Sequence, residues 1–153
     1  MIRPPLVLAA LAALMGCAGV TLAAAAVHES GGELATRGAL FLILHATAAL
    51  GIAAHARIAP SRALLIVGFI MEAGATLFAA DLANHAFAGQ RLFPFAAPIG
   101  GSAMILSWLA LAAAFAFEAW RNDFGGKIEN GGAKAPTVRL EPLRRGNPVV
   151  RGS

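Results

Sequence analysis

Four long apolar segments alternate with short polar links along the first 120 residues of the chain. The segments are residues 6–27, 38–54, 63–82 and 96–117. Three of them reach the roughly 20 residues of helix that cross about 30 Å of hydrocarbon, and the second is slightly short. The pattern predicts an all-α fold, an integral membrane four-helix bundle formed by residues 1–121.

The first apolar segment has a second interpretation, as a cleaved signal peptide. It follows Arg3, and Leu14-Met15-Gly16-Cys17 loosely resembles a lipoprotein cleavage site, although Met is a poor residue at that position. The apolar run is longer than the roughly 7–15 residues typical of a signal peptide, so we expect a retained helix. Cys17 is the sole cysteine, which excludes an internal disulfide.

Charge is distributed unevenly along the chain. Residues 1–120 contain five Arg and five acidic residues, which cancel, whereas residues 121–153 contain seven Lys or Arg and three acidic residues, so the net +4 lies there. A basic tail on an apolar body is typical of a membrane protein and argues against a nucleic-acid-binding domain. The Gly- and Pro-containing residues 122–153 are predicted to be a flexible cytoplasmic tail that can contact membrane lipid.

The arginines of the links orient the predicted bundle. Arg57 and Arg62 lie in the link between the second and third segments, whereas the other two links hold one arginine each, Arg37 and Arg91. Because Lys and Arg are enriched in cytoplasmic loops, Arg57, Arg62, Arg3 and the basic tail are expected on the cytoplasmic side. Both termini are therefore predicted to be cytoplasmic.

Five polar residues within or beside the apolar segments are candidate functional residues: His28, His45, Glu72, Asp81 and His85. Glu72 lies near the predicted bilayer midplane, where an ionisable group is costly and usually faces an interior or a cavity. It is either a protonatable or cation-binding group, or a protonated side chain hydrogen-bonded to another helix, for example to His45. Glu72 and Asp81 are nine residues apart and face opposite sides of one helix, which excludes a continuous carboxylate stripe.

Asp81 and His85 are separated by one helical turn, and His28 and His45 are expected toward the same side of the membrane. Carboxylate and imidazole groups are suitable ligands for zinc, copper or iron. The same spacing is also typical of an interfacial Asp–His pair or of capping of the following helix, so we expect no metal and no cofactor. The chain contains no nucleophile elbow, phosphate-binding loop, dinucleotide fingerprint or zinc-protease pair, and we expect no enzyme activity.

Small residues in the apolar segments predict close helix contacts, because lipid gives helices no hydrophobic drive to associate. The glycines interpreted in this way are Gly16, Gly19, Gly51, Gly68 and Gly74. In Pro98-Ile99-Gly100-Gly101 the proline presets a first helical turn and the glycines permit a neighbouring backbone to approach. This motif therefore predicts a helix start with tight packing.

Residues 74–108 carry a series of motifs without a gap. They are Gly74-Ala75-Thr76-Leu77-Phe78, Arg91-Leu92, Ala97-Pro98-Ile99-Gly100-Gly101 and Trp108. Together with His45 and His28, these residues resemble the DUF423 family of small four-helix membrane proteins, found in bacterial inner membranes with relatives in animals. The resemblance covers residues 6–117 and implies the fold and a multi-pass inner-membrane location. Asp81 stands where the family usually has small residues, and the family is functionally uncharacterised, so no reaction is implied.

The small size, the Ala- and Gly-rich surfaces and the basic tail favour a non-enzymatic accessory or assembly subunit of a larger membrane complex. The alternative is a small oligomeric proton-linked transporter or carrier that uses Glu72 and His45. Both functions predict partners within the membrane, either other membrane proteins or further copies of the chain. Neither function involves nucleic acid.

Overall fold

The computed structural model describes residues 3–28 and 32–132, and over these residues the chain forms four α-helices and no strand. The helices are α1 (Pro4–Ala26), α2 (Gly32–Ile58), α3 (Arg62–Ala88) and α4 (Ala96–Gly132). Each contains a segment that is long and apolar enough to cross a membrane. The chain divides into two units, residues 1–117, which hold the bundle, and residues 118–153. The predicted all-α four-helix membrane bundle is confirmed.

The helices α2 and α3 extend beyond the apolar segments that predicted them. α2 begins at Gly32 rather than residue 38, with Glu33 in its first turn, where the helix dipole favours an acidic side chain, and with Arg37 paired to Glu33. α3 continues to Ala88 rather than residue 82, and Gly89 ends it in a left-handed conformation with φ of 68°. Hydrophobicity locates the part of a helix inside hydrocarbon, whereas the ends depend on charges and caps outside it.

Helix α4 ends at Gly132 rather than near residue 117. Residues 122–132, which were predicted to belong to the flexible tail, have a helical backbone. The physical reason is that extending an existing helix fixes one residue per hydrogen bond, whereas starting a helix fixes several. The remainder of the predicted tail, residues 133–153, lies outside the described residues.

The link between α2 and α3 is a tight turn, as the sequence predicted. Ser61 caps α3, because its hydroxyl oxygen accepts a hydrogen bond from the backbone nitrogen of Leu64 at 3.3 Å. Pro60 lies immediately before this cap, where its missing N–H removes no helical hydrogen bond. The turn therefore joins two long helices that pack side by side.

Helices α3 and α4 are in direct backbone contact at Gly74 and Gly100. A Cβ atom added at Gly100 would lie 2.6 Å from the carbonyl oxygen of Gly74 and 2.8 Å from the backbone nitrogen of Phe78. At Gly101 the nearest atom is a ring carbon of Phe78 at 4.0 Å, so only Gly100 of the pair is required by this contact. The tight packing predicted from Pro98-Ile99-Gly100-Gly101 is confirmed.

Other glycines bring α1, α2 and α3 together. A Cβ atom at Gly19 of α1 would lie 3.1 Å from the carbonyl oxygen of Ala39 of α2, and one at Gly68 of α3 would lie 2.7 Å from a methyl group of Leu8 of α1. A Cβ atom added at Gly51 would meet no other described helix within 4 Å, so the interpretation of Gly51 as a position where helices of this bundle pack is wrong. Gly51 is exposed on the outer face of α2. The presence of a glycine in an apolar segment does not show which face of the helix it occupies.

The outer surface of the bundle is apolar. Each helix presents at least one large aliphatic side chain that is between 59% and 68% exposed: Leu14, Leu40, Ile66 and Leu109. In water such a surface would be an aggregation hazard, whereas lipid solvates it. The exposed surface is therefore consistent with helices that cross a membrane.

The Gly74–Gly100 contact generates the first testable prediction. Gly100→Ala should destabilise the bundle by about 1–3 kcal/mol, because a methyl group would be forced into the backbone of α3. Gly101→Ala is the matched control: it adds the same methyl group to the same helix, where nothing obstructs it. In detergent, Gly100→Ala should therefore unfold at a lower temperature than wild type, and Gly101→Ala should unfold at the same temperature as wild type or above it. Equal losses in both variants would contradict the contact.

Candidate functional site

Glu72 lines a groove between α1 and α3 that has a volume of about 1030 Å³. Both helices pack along α2 and contact each other much less, and the groove occupies the space between them. α1 contributes Leu11, Leu14, Met15, Ala18 and Leu22, α2 contributes Leu42, and α3 contributes Phe69, Glu72, Ala73, Thr76, Leu77, Ala79, Ala80 and Ala83. The groove is therefore an apolar cleft along the bundle, and Glu72 is the one ionisable side chain among the described residues that line it.

The carboxyl group of Glu72 is buried without a matching partner. The residue is 6% exposed, and its Oε1 atom has no hydrogen-bond partner among the described residues. Burying a polar group without a hydrogen bond costs roughly 1–3 kcal/mol by protein mutational data. Because polar residues inside a membrane are rare and usually functional, the unsatisfied carboxyl group makes this groove the leading candidate site.

Thr76 is the other polar residue among the described residues that line the groove, one helical turn from Glu72. Its hydroxyl group is 3.6 Å from the sulfur of Met15, a weak contact that joins α3 to α1. The described residues that line the groove include no Lys, Arg or His. None of these residues therefore places a positive charge beside Glu72.

His45 is a structural link between α2 and α4 rather than a partner of Glu72. Its Nδ1 atom is 2.8 Å from the carbonyl oxygen of Phe41, and its Nε2 atom is 3.2 Å from Nε1 of Trp108. A carbonyl can only accept and an indole N–H can only donate, so Nδ1 carries the proton and Nε2 is the acceptor. The hydrogen bond from Glu72 to His45 that the sequence allowed is not formed, because both ring nitrogens are already engaged.

Aromatic contacts also hold the ring of His45, which is 2% exposed. Phe41 stacks on it with ring centroids 5.8 Å apart, and Trp108 meets it edge-on at 6.2 Å. Trp108 was predicted only as part of a motif, and its role as hydrogen-bond donor was missed. The available signal was the indole N–H itself, a hydrogen-bond donor that lipid tails cannot satisfy.

Asp81 holds the link between α3 and α4. It is 1% exposed, its Oδ1 atom accepts a hydrogen bond from the backbone nitrogen of Leu92 at 2.8 Å, and its Oδ2 atom lies 3.6 Å from Nη1 of Arg91. Asn84 supports the same link by donating to the carbonyl oxygen of Gln90 at 2.7 Å. Asp81 therefore binds the segment before α4, and not His85 or the first turn of α4 as the sequence suggested.

His28 and His85 do not join the other candidate residues in a common site. Both are exposed, His28 beyond the end of α1 and His85 in the last turn of α3. The backbone carbonyl of His85 accepts the N–H of Gly89, which ends the helix. Within residues 3–28 and 32–132, no three His, Cys, Asp or Glu side chains come close enough to hold a metal ion.

Comparison with known proteins gives a match over residues 15–101 to the DUF423 family, which is described as a protein of unknown function. This match runs from Met15 in α1 to Gly101 in α4, and so it includes Glu72, the Gly74–Gly100 contact and the Asp81 link. Trp108, which the sequence resemblance included, lies outside it. No solved structure matches the chain.

The His45–Trp108 hydrogen bond generates a second prediction. Trp108→Phe keeps an aromatic ring but leaves the His45 acceptor unpaired, and should destabilise the bundle by about 1–3 kcal/mol. A double-mutant cycle with His45→Phe, followed by thermal unfolding in detergent, should give a coupling energy of at least about 0.5 kcal/mol. Strictly additive effects would show that the two side chains do not interact.

The Asp81 link generates a third prediction. Asp81→Ala should destabilise the bundle by about 1–3 kcal/mol and accelerate hydrogen exchange at the amide of Leu92, because that N–H loses its acceptor. Glu33→Ala is the control, since it removes a carboxylate from an exposed i,i+4 pair worth about 0.3–0.5 kcal/mol. Exchange measured by mass spectrometry should change in the link for Asp81→Ala alone. Unchanged protection of Leu92 would refute the assignment.

Proposed function

Because this chain belongs to the DUF423 family, which supplies a fold but no known activity, we propose its function from its own groove. The protein is a non-enzymatic accessory or assembly subunit of a larger membrane complex. It associates laterally, within the bilayer, with another membrane protein. The groove between α1 and α3 is the surface through which it does so.

The observation that carries this proposal is the unpaired carboxyl group of Glu72 in an otherwise apolar groove. Apolar surface alone would be solvated by lipid and would not require a protein partner. A buried polar group is different, because lipid tails cannot form hydrogen bonds to it. Glu72 therefore favours a partner that brings its own polar group into the bilayer.

The engagement of His45 and Asp81, the two other buried candidates, supports a role without chemistry. His45 joins two helices through both ring nitrogens, and Asp81 fixes a link through its carboxylate oxygens. A general acid or base needs a side chain that is available to a substrate, whereas these side chains are occupied by the fold.

The proposed location is a bacterial inner membrane, with both termini in the cytoplasm. Arg57 and Arg62 flank the α2–α3 turn, so the rule that cationic loops remain in the cytoplasm assigns this turn to the inner side. The link held by Asp81 is then on the outer side, and Glu72 lies between the two surfaces.

The alternative proposal is an oligomeric proton-linked carrier that uses Glu72 and His45. The open groove beside Glu72 favours it, since a carrier needs an accessible ionisable group. His45 weighs against it, because proton transfer through this ring would require it to leave Phe41 or Trp108. The accessory role needs no such rearrangement, and we prefer it.

The test is purification of the full-length tagged chain from its native membranes in mild detergent, followed by native mass spectrometry. We expect a stoichiometric complex with another membrane protein. Ala80→Leu, which fills the groove, should reduce recovery of that complex about tenfold, equivalent to about 1.4 kcal/mol.

Ala54→Leu is the matched control, because Ala54 is likewise exposed but lies on α2 outside the groove. This variant should leave the complex intact. Recovery of the chain alone, or equal loss of the complex in both variants, would contradict the proposed function.

A further inference from the structure

We infer that the groove between α1 and α3 receives a transmembrane helix that carries a basic residue at the depth of Glu72. This inference rests on the proposed function and adds the chemistry of the partner. Three properties of the groove carry it: the depth of its carboxyl group, the lack of a cation among its described lining residues and the small residues that line it.

Glu72 lies at a depth that lipid headgroups do not reach. It follows Arg62, the exposed first residue of α3, by ten residues, or about 15 Å of helix, which is half of the roughly 30 Å of hydrocarbon. Lipid tails at this depth fill space but offer no hydrogen-bond donor. Filling the groove with lipid therefore leaves Oε1 of Glu72 unsatisfied.

A carboxylate oxygen accepts hydrogen bonds, so a partner that holds Glu72 in its ionised form must supply a donor, and a basic side chain is the donor that also matches its charge. Ionisable residues inside membranes usually pair with one another. Hydrogen bonds between a carboxylate and a Lys or Arg are roughly twice as strong as those between neutral groups. The described residues that line the groove include no Lys, Arg or His, so the inference assigns this cation to the partner.

The shape of the groove fits a helix better than a compact ligand. Along α3 the lining extends from Phe69 to Ala83, which is about 21 Å or four helical turns. Small-molecule sites typically reach about 1000 Å³, so the volume of about 1030 Å³ is at the upper end of that class. Ala18, Ala73 and Ala80 line the groove, and small side chains allow a second helix backbone to approach closely.

The inference can be tested with the purified full-length chain in lipid vesicles. A fluorescent donor is attached to Cys17, which is exposed and lies about 120° around α1 from the centre of the face that lines the groove. The probe is an acceptor-labelled Leu/Ala transmembrane peptide of about 20 residues with one central Lys, and the control peptide has Leu at that position. Energy transfer should show about tenfold tighter association of the Lys peptide, equivalent to about 1.4 kcal/mol.

Variants of the chain then assign the effect to the groove. Glu72→Gln should abolish the preference for Lys, and Ala80→Leu should weaken binding of both peptides, whereas Ala54→Leu should behave as wild type. Equal binding of the two peptides to the wild-type chain, or a Lys preference that survives in Glu72→Gln, would overturn the inference. It would also be overturned if dodecylamine bound with dependence on Glu72 while the Lys peptide did not, since the groove would then be a small-molecule site.

The peptide experiment tests the inference and the native purification tests the proposed function, so either hypothesis can be contradicted without the other. A Lys preference that depends on Glu72, without any native complex, supports the inference and contradicts the proposed function. A native complex that is lost in Ala80→Leu, without any Lys preference, supports the proposed function and overturns the inference.

Discussion

The absence of a hydrophobic drive between helices in lipid is the constraint on which this structure depends. The helices of the bundle are held together instead by close backbone contacts and by hydrogen bonds between polar groups. Gly74 and Gly100 let α3 and α4 touch, while the hydrogen bond from Trp108 to His45 joins α4 to α2. In the last third of α3, Asp81 accepts a hydrogen bond from the backbone of Leu92 and so attaches α3 to the link that leads into α4. Each device supplies an attraction that lipid solvation cannot replace.

The same constraint makes Glu72 exceptional. Three hydroxyl groups in the helices bond to a carbonyl of their own helix: Thr21 to Cys17, Thr47 to Leu44 and Ser107 to Ala103. These bonds satisfy the side chain locally without help from a second helix. Glu72 has no such local solution for Oε1, although the residue is buried. Its environment is open toward the groove and incomplete in hydrogen bonding, which is expected of a surface that functions with a partner.

How far the sequence predicted the structure depends on the length scale of each interaction. The four apolar segments were enough to predict the four helices, and the Pro98–Gly101 motif was enough to predict tight packing at Gly100. Both predictions depend on local properties of the sequence. The helix ends were misplaced, since Glu33, Gly89 and the continuation of α4 act outside the hydrocarbon. The partner of His45 and the groove at Glu72 could not be predicted from the sequence, because each depends on how one helix is rotated about its axis relative to another. A rotation of about 100°, one residue, would change both outcomes.

His45 and Glu72 illustrate this point at nearly the same depth. Contacts of Ile52 with Gly68 and of Gly38 with Ala79 set the register of α2 against α3, and they bring the two polar residues within about one helical turn of each other in height. His45 faces α4 and finds Trp108, whereas Glu72 faces the gap between α1 and α3 and finds nothing for Oε1. The bundle thus contains one buried polar side chain, His45, whose hydrogen bonding is completed by α4, and one, Glu72, whose hydrogen bonding is incomplete. A helix from outside would do for Glu72 what α4 does for His45, and this equivalence is the structural argument for a partner within the membrane.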